Sequence, residues 1–163
     1  MFLKSVIKPI INDLDLFGFG VRLYQLGRYE DALDFLSAFR EKFPSREVFN
    51  NIGLARYALA VRHLAEYDRN RAFQYRLSTI LDTRTEADKL RGDNTQQQFK
   101  ENIREAIREF KAASEKDPSY LPARVNLSSA LILAEKYSEA MAASDEALTI
   151  SKDDPQAPRR NQP

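Results

Sequence analysis

The chain has 163 residues, with 25 Lys and Arg against 24 Asp and Glu, 43% hydrophobic residues and no cysteine. This length suits one compact domain or one short array of repeats, and the near-zero net charge gives no electrostatic reason to expect nucleic acid or an anionic membrane as a partner. The lack of cysteine excludes a disulfide framework and thiolate chemistry, and no run of residues is long and apolar enough to span a bilayer.

The first twelve residues carry a short apolar helical run that ends near Pro9. Lys4 and Lys8 interrupt this run and no small-residue cleavage site follows, so the segment is not typical of a secretory signal peptide. Residues 1–12 have two interpretations that stay open. They are either a short N-terminal cap helix or the last turns of a preceding helical unit.

Residues 13–44 predict two amphipathic helices joined by a tight turn. Gly27 separates two runs whose apolar residues recur three and four positions apart, and glycine turns sharply at little steric cost. Two small residues, Gly20 on the first helix and Ala32 on the second, would let the helices approach closely. Pro44 ends the second helix.

Residues 45–118 repeat this plan with an interruption. Ser45 is a good N-cap for a further helix, and Gly53 stands on that helix 33 positions after Gly20. No turn glycine follows at the expected distance. We therefore expect the helix to continue to about Tyr67.

The second helix of this unit comes much later in the chain and ends at Pro118. Its apolar positions repeat the spacing of the first unit, and they are Ile103, Ala106, Ile107, Phe110 and Ala113. The separation between the helix glycine and the closing proline grows from 24 positions in the first unit to 65 in the second. The difference of 41 positions predicts an inserted segment at about residues 67–100.

The inserted segment is expected to have structure of its own. An alternation of apolar and other residues favours an extended segment, formed by Phe73, Tyr75, Leu77, Thr79 and Leu81. A short helix capped by Thr83 or Thr85 should follow, and residues 92–94 (Gly-Asp-Asn) mark a turn. Residues 95–116 contain no helix breaker and predict one long helix. Both helices of this unit should thus extend past their usual ends, with the inserted residues at the far tip or folded back.

Residues 119–152 form the most regular unit. Tyr137 lies 108 positions after Tyr29, and Ala140 lies 108 positions after Ala32. The register of the repeats is therefore kept across the insertion. The polar, proline-rich residues 153–163 predict a disordered tail or a linker.

The recurring unit resembles the tetratricopeptide repeat, a helix–turn–helix of about 34 residues. The resemblance in the first unit rests on Gly20, Leu23, Gly27, Tyr29, Ala32, Leu33, Leu36 and Pro44. Phe39 departs from the family pattern, which usually has Ala there, and Ser128 and Glu135 stand in the last unit where the family favours Gly. The resemblance implies an all-α fold, a right-handed α-solenoid of about three antiparallel helix pairs.

In this family the first helix of each pair lines a concave groove that receives an extended peptide or a partner helix. The resemblance implies that the groove is lined here by Phe17, Val21, Tyr24, Gln25, Asn50, Leu54, Tyr57, Val125, Ser129 and Ile132. Chaperone-binding members hold a C-terminal carboxylate with a Lys/Asn/Arg clamp, of which only Asn51 matches, so this ligand is not expected. The groove is instead apolar and aromatic, which suits an apolar peptide or helix. The alternative is that these residues only pack against one another or against the insertion.

Candidate catalytic and metal-binding residues are scarce. His63 is the single histidine, cysteine ligands are absent and no glycine-rich phosphate loop occurs, so the sequence predicts no enzyme activity, cofactor or metal site. Carboxylates interleave with arginines, as at Arg104 and Glu105, which is typical of a solvated helix face. Arginines of the inserted segment lie near Phe73 and Tyr75, but neighbouring carboxylates largely cancel their charge, so nucleic acid is not the expected partner.

Two functional hypotheses follow. The first is a scaffold or adaptor that binds a partner peptide in the groove. The second is a regulatory or substrate-presenting domain of a larger enzyme, which a truncated-looking N-terminus and a linker-like C-terminus would favour.

The last helix, at roughly residues 138–150, has apolar positions around much of its surface. The end of a solenoid needs a polar cap, because each repeat buries its apolar face on a neighbour. The sequence therefore predicts self-association through the C-terminal helix, as a possible two-fold homodimer.

Overall fold

The computed structural model describes the backbone of residues 13–78 and 86–153, and the side chains of residues 16–68 and 94–152. This part of the chain contains six α-helices and no strand. They are α1 (Asp13–Gln25), α2 (Tyr29–Lys42), α3 (Arg46–Ser78), α4 (Glu86–Lys116), α5 (Leu121–Leu133) and α6 (Tyr137–Asp153). None of the described helices is long and apolar enough to cross a membrane. The N-terminal apolar run, the threonine caps of the insertion and the polar tail lie outside the described residues.

Each helix packs against the next one in the chain, and the first helices of successive pairs also contact one another, α1 with α3 and α3 with α5. Within the described residues the second helices α2, α4 and α6 make no comparable backbone approach. Long side chains link them instead, as Arg40 does with Glu109 at 2.9 Å and Lys111 with Glu139 at 3.5 Å. The stack is therefore an all-α solenoid in which α1, α3 and α5 approach one another more closely than α2, α4 and α6 do.

The core consists of two apolar clusters. One joins α1, α2 and the first half of α3, with Leu36 and Val48 almost fully buried. The other joins α3, α4, α5 and α6 around Phe110 and Leu131. Because α3 contributes to both clusters, it connects the first pair to the rest of the array.

A small residue stands wherever the two helices of a pair come closest. A Cβ atom at Gly20 would lie 2.8 Å from Leu36 Cγ, and one at Gly53 would lie 2.6 Å from a ring carbon of Phe110. In the last pair, Ser128 takes the place of the glycine and its hydroxyl lies 2.6 Å from that of Ser144, at the position of the bulky partner. Close approach thus depends on a small residue opposite a large one, or on two small ones. This explains why serine can replace the usual glycine.

The two described turns inside helix pairs share one geometry. Gly27 has φ = 75°, in the left-handed region, and Glu135 has φ = 59° at the equivalent position 108 residues later. In both turns the following amide donates a hydrogen bond to the carbonyl five residues earlier, at 3.0 and 2.9 Å. The turn predicted at the glycine is confirmed. The last pair makes the same turn with a residue for which this conformation is strained.

The long middle pair differs from the prediction in two places. Helix α3 continues to Ser78, well past Tyr67, so the extended segment predicted around Phe73 to Leu77 is wrong. Helix α4 runs through residues 92–94, so the turn predicted there is wrong as well. Both helices do extend past the usual length, to 33 and 31 residues. Strong helix formers surround the alternating aromatic residues, and extending an existing helix is much easier than starting a strand.

Candidate functional site

The candidate site is the inner face, defined here as the sides of α1, α3 and α5 that carry the predicted groove residues. One of these residues is buried, five are half-buried and four are exposed. The buried residue is Asn50, the half-buried ones are Phe17, Val21, Tyr24, Leu54 and Tyr57, and the exposed ones are Gln25, Val125, Ser129 and Ile132. The last pair is therefore the most open part of this face, and the middle pair is the least open.

Aromatic contacts hold the α1 part of the inner face against α2. The ring of Phe17 lies 5.4 Å from that of Phe39, and the ring of Tyr24 lies 5.6 Å from that of Tyr29. Burial, and after it the neighbouring Tyr29, raises the pKa of Tyr24 above the usual value for tyrosine. Tyr24 is therefore a neutral, partly exposed aromatic side chain at neutral pH, suited to apolar contacts and to one hydrogen bond.

The middle of the inner face is where α3 meets α5. The amide nitrogen of Asn126 donates a hydrogen bond to the side-chain oxygen of Asn50 at 2.8 Å, which ties the two helices together. Leu54 and Tyr57 are half-buried and pack against the second core cluster. Asn50 is thus buried and hydrogen-bonded within the structure, whereas Leu54 and Tyr57 keep part of their surface open.

The α5 part of the inner face has the most open apolar surface. Val125 is 48% exposed and Ile132 is 55% exposed, and both lie on the same side of α5, seven positions apart. Ser129 lies between them, and its hydroxyl donates to the carbonyl of Val125 at 3.1 Å. A ligand on this surface would meet aliphatic side chains and few free polar groups.

Val61 extends the inner face beyond the residues predicted from the sequence. It is 42% exposed and lies one helical turn after Tyr57 on α3. The sequence indicates this position of Val61, because it lies four residues after Tyr57 and so on the same side of the helix. It falls past the part of α3 that corresponds to an ordinary repeat helix, which is why the family pattern does not include it.

A charged cluster fixes the start of α3 against the loop between α4 and α5. The guanidinium of Arg46 contacts the carboxylates of Glu47 and Asp117 and lies 4.8 Å from the centre of the Tyr120 ring. The hydrogen bond from Arg46 is the main cause that lowers the pKa of Glu47, whereas burial and the nearby Glu47 charge raise that of Tyr120. The cluster positions α5 beside α3, and so helps to shape the inner face.

A second concave surface lies where the long helices pass the turn between α5 and α6. It is a cleft of about 780 Å³ whose walls include Leu64 and Phe99 from the long pair and Leu133 from the last pair. Lys100 and Arg104 border it on the α4 side, and Asp68 borders it on α3. This cleft was not predicted, because it exists only where α3 and α4 extend beyond the neighbouring pair. The lack of any Gly or Pro between Gly53 and Gly92 was the sequence signal for these long helices.

The remaining sequence candidate, His63, is half-buried on α3, and its Nδ1 atom has no hydrogen-bond partner among the described residues. In the part of the chain that the structure describes, no three His, Cys, Asp or Glu side chains come together as a metal site would require.

The stacked helix pairs, the inner first helices and the shared turn geometry define a helical repeat protein. Residues 100–158 match the family model described as tetratricopeptide repeat, which covers most of α4 and all of α5 and α6. This match over about a third of the chain supports membership of the tetratricopeptide repeat family, to which the resemblance of the first unit also points. No curated protein matches the chain. Tetratricopeptide domains generally mediate protein–protein interactions and are generally not enzymes.

Proposed function

We propose that this chain is a protein-interaction module that binds an apolar peptide or an amphipathic helix along the inner face. The observation that supports this most directly is the partly open apolar surface of α3 and α5. Leu54, Tyr57 and Val61 lie on one side of α3, and Val125 and Ile132 lie on one side of α5. Leu54 and Tyr57 pack against the second core cluster but keep part of their surface open, and Val61 and the two α5 residues are exposed, so this surface is available to a ligand.

The chemistry of the inner face sets the kind of ligand. No Lys, Arg, Asp or Glu occurs among the predicted groove residues, so this set offers neither a carboxylate clamp nor an acidic recess. Affinity would come from burying apolar area, at about 25 cal/mol per Å² before the costs of ordering the ligand. A ligand helix with apolar side chains at i, i+3, i+4 and i+7 would present the matching stripe.

Binding to peptides selected from a random display library tests this proposal. The same peptide is then titrated against Tyr24→Ala and Tyr57→Ala, which remove open aromatic surface from α1 and α3. Each variant should weaken binding by about 1–3 kcal/mol, as truncating a central aromatic contact does, while helicity is retained. Phe43→Ala is the matched control, because Phe43 is a 47% exposed aromatic residue at the end of α2 whose ring packs on Phe39, 4.9 Å away, and is not one of the predicted groove residues.

Two results would contradict the proposal. If Tyr24→Ala and Tyr57→Ala leave peptide binding unchanged, the ligand does not use the inner face. If both variants unfold, these side chains belong to the core and the assignment of the groove fails. The alternative role, as a regulatory or substrate-presenting domain of a larger enzyme, would use the same face. The full-length reading frame separates that role from a free-standing adaptor.

We also propose self-association through α6. Its support is separate from that of the inner face, since it rests on side chains at the outer end of the array. Met141 is 68% exposed and Leu148 is 57% exposed, on one side of this last helix.

A further inference from the structure

The apolar stripe on α6 is formed by Tyr137, Met141 and Leu148. These residues are four and seven positions apart, so they lie on one side of the helix. Tyr137 is 61% exposed, which makes all three largely open to solvent. The opposite side of α6 carries Glu139, which pairs with lysines.

Repeat equivalence explains why this stripe is open. Met141 occupies the same position in its pair as Leu33 in α2 and Ile107 in α4, and each of those two is only 8% exposed. In the earlier pairs the next helix, α3 or α5, packs against that side. The stripe is thus the surface on which a further helix would pack, not an incidental exposure of apolar residues.

The residues that follow α6 in this sequence are poorly suited to cover the stripe. Three of residues 154–163 are prolines, which interrupt a helix.

A second copy that continued the stack head to tail would place its α1 there. Arg22 of α1 stands where α3 and α5 have Ala55 and Ala130, which are fully buried. Head-to-tail stacking would therefore bury a guanidinium in an apolar contact, which is unfavourable when the charge is unpaired.

We infer that the stripe is covered by α6 of a second copy, antiparallel to the first and related to it by a two-fold axis near Asp145. This inference rests on the self-association proposed above. In that register Met141 meets Leu148 of the second copy, and the reciprocal contact forms at the same time, as an isologous interface requires. Tyr137 then faces Lys152 of the second copy, which allows a cation–π contact. This register pairs the two aliphatic side chains with each other twice, whereas the register that pairs Tyr137 with Leu148 of the second copy would leave Met141 opposite Ser144.

Sedimentation equilibrium of the whole chain, from micromolar concentration upward, tests the surface. The unmodified chain should form a dimer, and Met141→Lys or Leu148→Lys should raise the dissociation constant about tenfold or more, since each places a charge in the contact. Ala142→Lys is the control: Ala142 is exposed on another side of α6, so dimerisation should not change. Circular dichroism verifies that each variant keeps its helices. A chain that stays monomeric, or a dimer that Met141→Lys leaves intact, overturns the inference.

Cysteine cross-linking tests the register, because the chain has no cysteine of its own. Met141→Cys and Leu148→Cys chains, mixed and oxidised, should form the mixed disulfide in preference to either homodisulfide. A dimer in which the homodisulfides dominate would overturn the antiparallel register while leaving self-association intact. Neither experiment involves the inner face, so their outcome is independent of peptide binding.

Discussion

The substitution Gly53→Ala tests how closely α3 and α4 approach. The new Cβ atom would lie 2.6, 2.7 and 3.0 Å from three carbons of the Phe110 ring, which is itself 1% exposed and has little room to move. Overpacking of this kind costs about 1–3 kcal/mol. The higher helix propensity of Ala relative to Gly offsets about 0.8–1.0 kcal/mol of this cost. The net expectation is a loss of about 1 kcal/mol in the free energy of unfolding, or about 2–4 °C in Tm for a chain of this size.

Gly18→Ala is the matched control for that experiment. Gly18 lies inside α1, and a Cβ atom there would have no neighbour within 4 Å, so the substitution should stabilise the chain by about 0.8–1.0 kcal/mol. Urea denaturation followed by circular dichroism compares the two variants, which should move the midpoint in opposite directions. If Gly53→Ala stabilises the chain as much as the control does, the close approach to Phe110 is wrong.

Two further predictions concern the turns inside the helix pairs and the ion pair between Arg40 of α2 and Glu109 of α4. Glu135→Gly should raise the free energy of unfolding by about 0.5–1 kcal/mol, because the relief of the left-handed strain exceeds the added entropy of the unfolded chain. Gly27→Ala should lower the free energy of unfolding by a similar amount, because it introduces that strain. Urea midpoints that stay unchanged in both variants would contradict the shared turn geometry. Arg40→Met should lower the free energy of unfolding by about 1–3 kcal/mol, because it removes the 2.9 Å partner of the nearly buried Glu109 carboxylate and leaves the more exposed Arg108, at 3.2 Å, beside it. Adding Glu109→Met should recover most of the loss in the same assay. No recovery in the double variant would show that the arginine acts through its packing instead.

The helix pairs were predictable because their signals are local. The three-and-four spacing of apolar residues, the glycine of the first turn and the closing proline each act within a few positions. The alternating aromatic residues near Tyr75 misled the prediction for a physical reason. A two-residue period over so short a stretch cannot outweigh the cooperative extension of a helix that has already formed.

The burial of individual inner-face residues was less predictable, because it depends on the neighbouring pair. Asn50 was expected to line the groove, but its side chain accepts a hydrogen bond from Asn126 and is 5% exposed. Those two residues are 76 positions apart in the chain, and no local pattern links them. Val125, at the equivalent place in the last pair, has no following helix pair among the described residues, and it is open.

Photo-cross-linking of a selected peptide tests whether ligands bind along the inner face. A benzophenone side chain is placed at position 132, on the inner face, and in a separate chain at position 142, on the outer side of α6. The account predicts that the peptide cross-links to the chain modified in place of Ile132, that Tyr57→Ala suppresses this product, and that the chain modified in place of Ala142 gives none. Equal cross-linking from both positions, or from position 142 alone, would contradict binding along the inner face.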